Sequence, residues 1–70
     1  MQSLNRFGRQ RLAHLKSKPG LLRELEDDGI LKRHLLHTQR WAVWQVDQLV
    51  MGGMEETEAE EVVLREVSLD

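Results

Sequence analysis

With 70 residues and no cysteine, the chain has length for one helical domain, residues 1–70, and no disulfide or thiolate ligand to staple it. No run approaches the roughly 18 apolar residues of a membrane span, and MQSLNRFGRQRL at the start lacks the apolar core of a secretion signal, so the expectation is a cytoplasmic protein with no membrane partner. The formal net charge of −2 conceals a polarity: residues 1–40 hold nine Lys or Arg against four acids, a net +5, whereas residues 41–70 hold one Arg against eight acids, a net −7.

The first predicted helix runs from about Leu4 to Lys16, with Ser3 as its N-cap and Leu4, Phe7, Leu12 and Leu15 on one face. Gly8 lies on that face, and since glycine costs about 1 kcal/mol of helix propensity relative to alanine, close approach of another helix is the natural reason to tolerate it. Arg6, Arg9 and Lys16 occupy the opposite arc. Arg11 falls among the apolar residues, where an unpaired guanidinium is costly, so a carboxylate partner is expected, with Glu66 or Glu61 the natural choice if the first and last helices are neighbours.

Pro19 stops this helix and suits the first turn of a short second one, in which Leu21, Leu22 and Leu25 face inward and Gly29 forms a left-handed C-cap. From Ile30 to Met51 the sequence reads as one long helix that Asp27 or Asp28 could cap. Leu31, Leu35, Ala42, Val46 and Leu49 make an apolar stripe at 3.6 spacing, widened by Leu36, Val43 and Val50. His34, His37, Trp41 and Trp44 fall roughly opposite, so this helix presents two faces that each prefer a partner. Two readings of the tryptophans stay open: burial against the first and last helices, or an intermolecular contact.

Gly52 and Gly53 form a turn, after which EETEAEEVVLREVSLD is predicted helical, its early glutamates suiting a helix N-terminus and Ala59, Val62, Val63 and Val67 facing inward. VVLREVSL is β-branched enough for a strand, but the sequence offers no second strand to pair with it. The fold class expected is therefore an all-α bundle of three main helices plus one short helix.

Chemistry-bearing patterns are sparse. His34 and His37, spaced i, i+3, could turn two imidazoles toward one metal, yet a zinc site needs further ligands and no HExxH motif is present, so no metal and no cofactor are expected. With no cysteine or tyrosine, and with Ser3, Ser17 and Ser68 scattered in flanks, no nucleophile and base can be placed together, which argues against an enzyme. Arg6, Arg9 and Lys16 could neutralise phosphates, making nucleic acid the alternative partner, although no aromatic residues interleave with this arc.

The segments GRQRLAHLK, PGLLRELEDDGILKRHL and EEVVLREV resemble the TnpV family of small transposon-encoded proteins. The matching positions are Gly8, Arg9, Arg11, Leu15, Lys16, Gly20, Leu21, Leu25, Gly29, Leu31, His34 and Leu35, closing with Glu60, Glu61, Val63 and Leu64. The chain departs from the family pattern in having only Gly52 and Gly53 where family members carry a longer connection. The resemblance implies an accessory protein of a mobile element and carries over no catalytic residue. Because a core this small supplies only about 3 to 5 kcal/mol, self-association is the expected source of further stability. The expected function is that of a non-enzymatic interaction protein, forming a homo-oligomer or binding a protein partner through His34, His37, Trp41 and Trp44. The alternative is a DNA-binding accessory factor using Arg6, Arg9 and Lys16.

Overall fold

A computed structural model describes residues 4–69 of the chain, which form four α-helices in sequence: α1 (Arg6–Lys16), α2 (Pro19–Asp27), α3 (Leu31–Met51) and α4 (Glu56–Glu66). The expected all-α bundle is present, with α2 the short element and the last segment helical.

Helix α1 begins slightly later than the apolar pattern suggested, at Arg6, and Asn5 caps it. The Asn5 side-chain oxygen accepts from the backbone N–H groups of Phe7 and Gly8 at 3.0 and 2.9 Å, which satisfies two of the donors that a helix start leaves without partners. Ser3, the cap expected from sequence, lies outside the described residues. Pro19 takes the first position of α2, where its missing N–H costs nothing.

Helices α2 and α3 both end in Schellman motifs. The N–H of Gly29 reaches the Glu26 carbonyl and that of Ile30 the Leu25 carbonyl, both at 3.0 Å, while Gly53 and Met54 repeat the arrangement on Val50 and Leu49 at 3.0 and 3.1 Å. The left-handed backbone that this motif requires falls on Gly29 (φ 70°) and Gly53 (φ 106°). Asp27 and Asp28 do not cap α3, because the Schellman turn is already using that segment to close α2; Ile30 occupies the N-cap position, with no side-chain cap.

The core is built by α1, α3 and α4. Phe7, Ala42, Val63 and Val67 form its centre, with Val46, Leu49 and Leu64 packed against it. Leu15, Leu35 and Ala59 are also buried. Helix α2 buries no residue completely, and Leu21, Leu22 and Leu25 are no more than partly buried, so it lies at the margin of the bundle. Gly8 is buried where α1 meets α3: a Cβ there would collide with Oε1 of Gln39 and lie 3.1 Å from Leu4 Cδ2. That same Oε1 accepts the Asn5 N–H at 2.9 Å, so the missing side chain admits a hydrogen bond between the start of α1 and the middle of α3.

Arg11 confirms the phase of α1 and corrects its expected partner. The residue is half-buried and directed toward α4, but no ion pair joins it to Glu66, Glu61 or any other described residue. Its guanidinium donates instead to the backbone carbonyls of Val67 and Leu69 at 3.0 and 2.7 Å. These carbonyls follow the last turn of α4, where helix geometry leaves acceptors unpaired and the dipole is negative, so the helix end serves where a carboxylate was expected.

Candidate interaction surface

The site follows from how α3 is placed. The bundle measures 41 × 24 × 15 Å, and its thinnest dimension accommodates two helix layers at the usual separation of about 8 to 10 Å. The longest helix can therefore contribute Leu35 and Ala42 to the core on one side and leave large apolar residues exposed on the other.

Trp41 and Trp44 lie on this open side, 38% and 56% exposed. Trp44 is therefore no core residue of the monomer, whereas Trp41 is more covered than exposed. Val43 (53%) and Met51 (74%) are exposed beside them, and Val50 is exposed at the edge. Val43 and Val50 thus do not widen the core stripe as expected: at about 100° per residue they lie well round the helix from Leu35 and Ala42, and the narrow contact with α1 and α4 does not reach them. One indole more than half exposed and a second partly exposed on the most apolar helix are the kind of exposure that marks a contact site.

The two histidines differ in burial but share a surface, both lining a shallow pocket with Ile30 and Arg33. His37 is exposed on the tryptophan side, whereas His34 is half-buried at the bundle edge, where its Nε2 accepts a hydrogen bond from Arg11 Nε at 3.2 Å. An imidazole nitrogen that accepts from a guanidinium is unprotonated, so His34 is neutral with its proton on Nδ1. Burial first, then the positive fields of Arg11 and of His37, hold its pKa below the ordinary 6.5. Among the described residues no group of three or more His, Cys, Asp or Glu is assembled that could hold a metal ion.

Sequence reasoning overlooked a second feature of this face. Gly29, Lys32, Arg33, Leu36, His37 and Arg40 line an open groove of about 480 Å³ at the α2–α3 corner. Lys32, Arg33 and Arg40 are exposed and make no ion pair among the described residues. The signal was legible as i, i+4 and i, i+7 spacing from Arg33 through His37 to Arg40, but the tryptophans beyond it dominated the pattern. The open face of α3 is therefore basic toward its start and aromatic toward its end.

The basic arc of α1 is less available than its composition suggested. Arg6 forms an ion pair with Glu60 of α4, and Arg9 donates to the Leu4 carbonyl at 3.1 Å. Lys16 is exposed in the last turn.

No family model, no curated protein and no solved structure matches the chain. No described helix is long and apolar enough to cross a membrane.

Proposed function

We propose that this chain is a non-enzymatic interaction protein that self-associates through the open face of α3. The observation that carries the reading is the simultaneous exposure of Trp41, Val43, Trp44 and Met51 on a helix whose other side is the centre of the core. Tryptophan is the residue type that most often anchors protein contacts, and covering such a patch removes apolar surface from water at about 25 cal/mol per Å². His37 is exposed on the same face and the half-buried His34 lines a pocket with it, so both histidines belong to the proposed interface, His34 being tied to α1 as well through Arg11. The resemblance to the TnpV family favours an accessory role in a mobile genetic element, exercised in the cytoplasm without a cofactor.

The alternative of a DNA-binding factor that uses Arg6, Arg9 and Lys16 has weaker support, since Arg6 is neutralised by Glu60. The deciding experiment is sedimentation equilibrium of the wild type and of Trp41→Ala/Trp44→Ala over a range of concentrations, with circular dichroism as the check on folding. A wild-type dimer and a helical, monomeric variant support self-association. A wild type that stays monomeric but shifts a labelled duplex at low salt, with loss of the shift in Arg9→Ala/Lys16→Ala, overturns it in favour of the alternative.

A further inference from the structure

The open face of α3 has an internal symmetry in its sequence. Leu36, Arg40, Val43, Trp44, Asp47 and Met51 are separated by four, three, one, three and four residues, the symmetric spacing that any such arc of a helix has, so the symmetry of interest is in the residue types that occupy it. With each residue turning the helix by about 100°, all six fall within an arc of about 100° on the side away from Leu35 and Ala42. Leu36 is half-buried and the other five are exposed. Reversal about the point between Val43 and Trp44 exchanges Leu36 with Met51, Arg40 with Asp47 and Val43 with Trp44, so each apolar residue meets an apolar one and the cation meets the anion.

From this we infer that the partner on the tryptophan face is a second copy of the chain, with the two α3 helices antiparallel and the two-fold axis passing between Val43 and Trp44. The inference rests on the self-association proposed above and adds the identity, direction and register of the pairing. An isologous contact requires that when one residue faces another, the second also faces the first on the other side of the axis. The residue types meet that condition, since apolar positions fall opposite apolar ones and Arg40 falls opposite Asp47.

Charge supports the same direction. Two copies aligned in parallel would set Arg40 against Arg40 and Asp47 against Asp47, whereas the antiparallel register forms the Arg40 to Asp47 pair twice. Neither residue makes an ion pair within the monomer among the described residues, so both remain available. The helix of 21 residues is about 31 Å long, enough to seat the whole stripe along one seam.

The test is a charge exchange in the full-length chain, with dimer dissociation constants from sedimentation at low ionic strength and helicity from circular dichroism. Arg40→Glu brings two carboxylates together at each end of the seam, and Asp47→Lys brings two cations together there. Each substitution does so twice per dimer and weakens the dimer by about tenfold or more. The double variant Arg40→Glu/Asp47→Lys restores dimerisation to within a few fold of the wild type, because the opposed charges are only exchanged. If Trp44→Ala abolishes a wild-type dimer but the single reversals have no effect, or the double variant is not restored, the antiparallel register is wrong while the self-association stands. A wild type that is monomeric at every concentration overturns both.

Discussion

Arg11 Nε donates to Nε2 of His34 at 3.2 Å, while the same guanidinium donates to the carbonyls of Val67 and Leu69. One side chain of α1 therefore joins the first half of α3 to the end of α4, and it does so only while the imidazole is neutral. Burial, Arg11 and His37 all disfavour protonation of His34, so its pKa in the folded chain is below the 6.5 that it regains on unfolding. Between those two values the unfolded chain binds more protons than the folded one. Folding stability is consequently at its full value above pH 6.5 and falls as the pH drops through the folded-state pKa. Urea midpoints measured at about pH 7.5 and about pH 5.5 should show the loss, and His34→Gln, which keeps an acceptor but cannot charge, should flatten the difference. Identical pH dependence in the variant would remove His34 as its source.

Arg11 itself is expected to be irreplaceable by lysine. Its planar fork reaches an imidazole and two carbonyls together, whereas an ammonium concentrates three donors at one point. Arg11→Lys should lower stability by about 1 to 2 kcal/mol, and Arg11→Ala by about 1.5 to 3, since hydrogen bonds to charged groups are worth more than neutral ones. Chemical denaturation at neutral pH measures both. Equal stability of Arg11→Lys and the wild type would show that only the charge matters at the end of α4.

Gly8 and Gln39 should behave as a coupled pair. In the wild type, alanine at position 8 displaces Gln39 Oε1 and costs the hydrogen bond to the Asn5 N–H, which offsets the gain of about 1 kcal/mol in helix propensity. In a Gln39→Ala background that oxygen is gone, and Gly8→Ala should be more favourable by about 0.5 to 1.5 kcal/mol than in the wild type. A double-mutant cycle in urea reads this directly, and additive effects would mean that Leu4, whose Cδ2 would lie 3.1 Å from the new methyl, sets the penalty instead.

These relationships mark the boundary of what the sequence discloses. The helices, the Leu35 and Ala42 stripe of α3, the inward face of α4 and the left-handed Gly29 were legible because periodicity and glycine chemistry are local, whereas the width of the α3 stripe was not, Val43 and Val50 being exposed. The neighbour of Gly8 was legible as to kind but not identity: a buried glycine announces a close approach, yet only the packing angle decides that Gln39 fills it. Arg11 was legible in direction alone. Its side of α1 follows from helical phase, but its acceptors are backbone carbonyls at a helix end, which no residue type signals. Likewise, two apolar faces on α3 could be read from spacing, but which one the fold covers depends on the width of the contact with α1 and α4.

That distinction can be measured by comparing one residue from each side of the bundle. Leu15 is fully buried and Trp44 is more than half exposed, so Leu15→Ala should cost about 2 to 5 kcal/mol and Trp44→Ala only about 0.5 or less in the isolated monomer. A core of this size supplies about 3 to 5 kcal/mol, so the leucine variant is expected to be largely unfolded at room temperature. The chain has two tryptophans and no tyrosine, so its fluorescence reports on the open face of α3 alone. Under dilute conditions Trp44 should emit as hydrated indole and be readily quenched by acrylamide, with Trp41 partly protected. Raising the protein concentration should shift the emission to shorter wavelength and protect it, as apolar partners replace water around Trp44. Emission that is blue-shifted and protected at every dilution, together with a Trp44→Ala variant as unstable as Leu15→Ala, would show instead that the tryptophans belong to the core.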